Sequence, residues 1–90
     1  MRVTTLVKKL FGESALYDMM DTLDEDEDRT EIEYWAIDTE EDAAEPTYFI
    51  RLYADGRYTL RDINGNIILV TYVEKDLKNK LKVLAAEVNK

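Results

Sequence analysis

The chain has 90 residues, 46% of them hydrophobic, and a net charge of −8 with neither cysteine nor histidine. That is enough apolar material for one core and too little for two, and it excludes disulfides, the common zinc sites, thiol nucleophiles and imidazole bases. The charge is segregated: residues 13 to 45 hold 15 of the 20 acids and a single base, Arg29, for a net −14, while the remainder carries 11 bases against five acids.

The first 23 residues carry helical periodicity in two phases. Val3, Leu6, Val7 and Leu10 share one stripe; Leu16, Met19, Met20 and Leu23 share another, rotated away from the first. Gly12 as a helix stop and Ser14 as an N-cap predict two short helices, or one sharply kinked helix, the second starting near Ala15. From Thr30 the period becomes that of strands, at about 30–38 and 47–54, with Pro46 marking the start of the second. Asp55-Gly56 and Asn64-Gly65 then predict hairpins that add strands at about 57–62 and 67–73 and place both glycines at positive φ. Glu74 and Asp76 open a C-terminal helix, in which Leu77, Leu81, Leu84, Ala85 and Val88 form an apolar stripe flanked by Lys75, Lys78 and Lys82. The expected fold is α+β: N-terminal helices, a four-stranded antiparallel meander sheet and a C-terminal amphipathic helix packed on one face, in a single small acidic domain over residues 1–90. The longest aliphatic run is Ile67 to Val70, and Lys8 and Lys9 stand where a signal peptide would be apolar. A soluble, cytoplasmic protein without membrane contact is expected.

Asp24, Asp26 and Asp28 alternate like the first ligands of a calcium-binding loop. The rest of that loop fails, with Arg29 where glycine is needed and Trp35 where a bidentate glutamate is needed, so no metal site and no cofactor are expected. With 20 acids a carboxylate pair carries no catalytic signal. Ser14, the only serine, is better used as a cap, and the three glycines are spent on turns; an enzyme is not expected. Arg51, Arg57 and Arg61 with Tyr53 and Tyr58 could suggest a nucleic-acid surface, but a −14 block in the same small domain repels phosphates. Cross-strand pairing of these arginines with acids of the first strand is the favoured reading.

The acidic block is either a solvating surface or a binding surface. On a regular strand Glu31 and Glu33 would point the same way about 6.6 Å apart, comparable with successive phosphates of one nucleic-acid strand. Asp24, Glu25, Asp26, Glu27 and Asp28 lead into them, and Glu40, Glu41 and Asp42 follow. Tyr34 and Trp35, ringed by this charge, have the composition of a binding hot spot, although Trp35 serves equally as core.

In size, charge and the order of helix and antiparallel sheet the chain resembles small phage inhibitors that imitate DNA, such as uracil-DNA glycosylase inhibitors and some anti-CRISPR proteins. The likeness lies in composition and element order, with no motif that transfers residues. These observations lead to the expectation of a non-enzymatic inhibitor that mimics nucleic acid and occupies the DNA- or RNA-binding cleft of a larger, basic protein, of the anti-CRISPR, anti-restriction or repair-enzyme type. The residues expected to bind it are Asp24 to Asp28, Glu31, Glu33, Tyr34, Trp35 and Glu40 to Asp42, with no direct contact to nucleic acid. The alternative is a structural or adaptor domain that binds a basic protein or self-associates through its acidic block; on either reading a monomer or weak homodimer is expected.

Overall fold

Amphipathic segments at the two ends of the chain bury one stripe each, and they do so on the same face of an antiparallel sheet. The computed structural model describes residues 1–23, 30–39 and 46–88. Helix α1 (Val3–Phe11) is followed by strand β1 (Leu16–Asp18), a 3-10 turn (Met20–Thr22), β2 (Glu31–Ile37), β3 (Tyr48–Tyr53), β4 (Tyr58–Asp62), β5 (Ile67–Thr71) and helix α2 (Glu74–Val88). The strands lie side by side in chain order, β1-β2-β3-β4-β5, each antiparallel to the next.

The α+β meander is as expected, with one strand more. The stretch after Ala15 is not a second helix. Its eight residues are too few to nucleate one alone, and the backbone pairs with β2 instead: Asp38 N donates to the Ala15 carbonyl at 2.8 Å and Met19 N to that of Tyr34 at 2.8 Å, on either side of the β1 ladder. Asp18 Oδ1 then accepts from Met20 N and turns the chain. Gly12 does stop α1, at φ 120° with its N–H on the Lys8 carbonyl, but Ser14 caps nothing because no helix follows it.

Both hairpins form through three-residue loops. Gly56 N bonds the Tyr53 carbonyl and Gly65 N that of Asp62, with φ of 90° and 83° at the two glycines. Asp55 Oδ1 accepts from Arg57 N, and Asp62 Oδ1 from Asn64 N and Asn66 N, so each aspartate holds its own turn.

Cross-strand rows alternate between the two faces. Trp35, Ile50, Leu60 and Leu69 form one row beneath the helices, and Ile37 with Tyr48 the next. Val7, Ile37, Ile50, Leu60, Leu77 and Leu81 are fully buried there. Each such side chain contributes about 1.5–3 kcal/mol by leaving water. Val88, expected on the α2 stripe, is 38% exposed at the helix end. Among the described residues no helix is long and apolar enough to cross a membrane.

Candidate protein-binding edge

Of the residues expected to meet a partner, Glu31, Glu33, Tyr34 and Trp35 lie on β2. Their side-chain directions follow from a bulge there: Glu31 pairs with Tyr53 and Glu33 with Leu52, two adjacent residues of β3, so the register shifts by one between the two glutamates. An inserted residue reverses the alternation. Glu31 and Glu33 therefore lie on opposite faces of the sheet, which corrects the expectation that they point the same way. Exposed Ile32 occupies the irregularity between them.

On the face without helices, Glu31 Oε1 accepts a hydrogen bond from Arg51 Nη1 at 3.1 Å in a half-buried ion pair. The Arg51 guanidinium lies 4.5 Å from the centroid of the Tyr34 ring, and that ring is tilted against Phe49 at 6.2 Å. Arg57 covers the buried Tyr53 ring in the same manner at 4.2 Å. Arg61 pairs with Phe49 on this face, whereas Tyr58 points to the helix side. Burial acts to lower the Arg51 pKa, but Tyr34, Tyr53 and Glu31 more than offset it and the cation is favoured. Cross-strand pairing of the arginines with β2 acids is thus realised for Arg51. Among the described residues Arg57 and Arg61 form no ion pair.

On the helix face, Trp35 packs against the core while its edge joins Glu33, Tyr58, Glu74 and Arg2 around an open hollow near the start of α1. Burial raises the Tyr58 phenol above its usual value, and the nearby Glu74 and Glu33 carboxylates raise it further. Tyr48 is raised by burial and then by Glu87 and Asp62.

The bulge divides the candidate residues into two pairs: Glu31 with Tyr34 on the open face, Glu33 with Trp35 on the helix face. Asp24 to Asp28 and Glu40 to Asp42 lie outside the described residues. What sequence reasoning missed is the arginine–aromatic layer as a unit, although the alternation Phe49, Arg51, Tyr53 contained it. No protein-family model, curated protein or solved structure matches this chain.

Proposed function

We propose that this protein is a non-enzymatic inhibitor that mimics nucleic acid and occupies the DNA- or RNA-binding cleft of a larger basic protein. The supporting observation is the segregation of charge along the sheet order: among the described residues, 13–23 and 30–39, which supply β1 and β2, hold six acids and no base, whereas residues 57 to 88, with β4, β5 and α2, carry six bases against four acids. Charge gathered at one side steers an oppositely charged cleft to that side, which a uniformly solvating surface does not do. Because Glu31 is engaged by Arg51 and faces away from Glu33, the decoy does not rest on a Glu31–Glu33 ladder. It rests on Glu33 and the acids that flank β2, Asp24 to Asp28 and Glu40 to Asp42. Tyr34 and Trp35 would give lasting contact, Tyr34 on the open face and Trp35 by its edge.

Competition is the deciding experiment. Partners captured from a host lysate should include nucleases, polymerases or repair enzymes, released by high salt and displaced by excess duplex DNA. Asp26→Lys or Glu40→Lys should sharply weaken capture, while Glu87→Lys should not, although each alters the net charge equally. Partners that DNA fails to displace would overturn mimicry in favour of an adaptor role. Asp55 and Asp62 are unsuitable controls because their carboxylates hold the hairpins.

A further inference from the structure

Four residues of the face without helices form a square across β3 and β4: Arg51 pairs with Thr59, and Phe49, two residues along β3, pairs with Arg61. Arg51 and Arg61 stand on one diagonal, at strand positions about 7–8 Å apart, and Phe49 and Thr59 on the other. The buried side-chain polar atoms that lack a hydrogen-bond partner among the described residues all belong to this patch: Thr59 Oγ1 and the Nε atoms of Arg51, Arg61 and the neighbouring Arg57. Buried polar groups ordinarily find a partner, and like charges on adjacent strands repel. Two guanidiniums so placed, in a chain with 20 acids, call for an anion that neither strand supplies.

The acids nearby are committed elsewhere. Glu31 takes one Arg51 nitrogen, Nη1, at 3.1 Å, which leaves further donors on that fork. Asp62 accepts from Asn64 N, Asn66 N and Asn66 Nδ2 within its own turn. Arg61 has no ion pair among the described residues. Beside the square lies an open hollow of about 220 Å³ whose lining includes Tyr34, Phe49, Arg51, Arg61, Asp62 and the 44% exposed Ile63. Size and charge select the occupant. The hollow is smaller than the roughly 300–1,000 Å³ of sites for drug-sized ligands, so it admits one ring with its substituent. The tilted pair of Tyr34 and Phe49, with ring centroids 6.2 Å apart, offers that ring an aromatic wall. A polyanion is repelled at range by an acidic protein, whereas a ligand with one acidic group responds to the local guanidiniums.

We propose that this hollow binds a small aromatic oxyanion, a single planar ring bearing a carboxylate or a phosphate, with the ring against Tyr34, Phe49 and Ile63 and the anionic group between Arg51 and Arg61. Each arginine presents a planar fork to the anion's oxygens, a geometry that carboxylate and phosphate both accept. The Arg51 guanidinium is already seated over Tyr34, 4.5 Å from the ring centroid, and Arg61 supplies the second fork. The site uses basic and aromatic groups and none of the acids on which the decoy rests, so it stands or falls apart from the mimicry reading.

Titration of the isotope-labelled full chain with phenyl phosphate, benzoate and inorganic phosphate, each to about 10 mM at constant ionic strength and followed by amide chemical shifts, tests it. Saturable shifts around Phe49, Arg51, Arg61 and Ile63 are expected with at least one aromatic probe, and the tighter of the two tells whether the site takes phosphate or carboxylate. Inorganic phosphate should bind at least about tenfold more weakly, for want of the ring. Arg61→Gln should weaken the tighter probe at least about tenfold, and Arg61→Lys, which keeps the charge without the fork, should weaken it too. Lys82→Gln, an equal change of charge at an exposed site on α2, should leave binding unchanged. Circular dichroism checks that each variant is folded. No saturable shift with either aromatic probe, inorganic phosphate binding as tightly as they do, shifts located elsewhere, or equal losses from Arg61→Gln and Lys82→Gln would each overturn the proposal.

Discussion

Tyr58 is partly buried and lies near two carboxylates, Glu74 and Glu33, and both conditions bear on how the protein meets alkali. Its folded-state pKa lies above the ordinary 10.0, first through burial and then through those carboxylates. A raised value means that the neutral phenol contributes stability fully below the unfolded pKa and loses it as pH rises through the folded one. Tyr48 behaves in the same sense. Denaturant midpoints should therefore hold up to about pH 10 and fall above it. Glu33→Gln should bring the Tyr58 transition down, read by phenolate absorbance with Tyr58→Phe to assign it; an unmoved transition would place Glu33 outside the reach of that ring. Trp35→Ala tests the neighbouring residue. Because Trp35 packs against the core, truncation should cost about 2 kcal/mol or more of folding stability, whereas Glu31→Gln, breaking one half-exposed ion pair, should cost under about 1 kcal/mol. Unchanged stability in Trp35→Ala would make it a surface anchor alone.

The hairpins are the elements whose chemistry is most local. A Cβ added at Gly56 or Gly65 would meet nothing within 4 Å, so the cost of substitution there is backbone strain without a clash. Gly56→Val and Gly65→Val should each lose on the order of 1–3 kcal/mol, while asparagine, which tolerates positive φ better, should lose less at either site. Equal losses for valine and asparagine in thermal melts would indicate that the loop conformation is not the origin. This locality explains what the sequence reveals. Gly12, Gly56 and Gly65, the Leu77–Leu81–Leu84 stripe and the alternation of β3 each carry their signal within a few residues. Strand β1 does not. Leu16, Met19, Met20 and Leu23 fit a helical period, and only backbone hydrogen bonds with β2, outside that run, convert it into an edge strand. The bulge at Ile32 is equally invisible, since it depends on how β2 registers against β3, yet it decides which face each candidate glutamate occupies. For the candidate site, then, composition located the acids and aromatics, while their directions came from tertiary pairing.

At the scale of the molecule, repulsion within the acidic segment opposes folding more than it opposes the extended chain, and ions reduce it. The melting temperature is expected to rise between low salt and about 0.5 M NaCl, where the Debye length falls from tens of ångströms to about 4 Å. A flat or falling melting temperature would mean that arginines and lysines already neutralise the segment. Measured at low protein concentration, this effect is separate from any gain through dimerisation.

The strictly sequential strand order has a further consequence in time. Every ladder joins neighbours along the chain, so sheet assembly needs no long loop to close, and the chief distant encounter left is that of α1 with α2. Low sequence separation of contacts favours rapid folding. The β3-β4-β5 meander is placed to condense first, with the two helices zipping the ends of the chain together afterwards. Val7→Ala, in α1, should then accelerate unfolding and leave the refolding rate nearly unchanged, whereas Leu60→Ala, at the centre of the meander, should slow refolding. In a cell such an order would leave strand β5 formed before α2 is fully docked over the sheet.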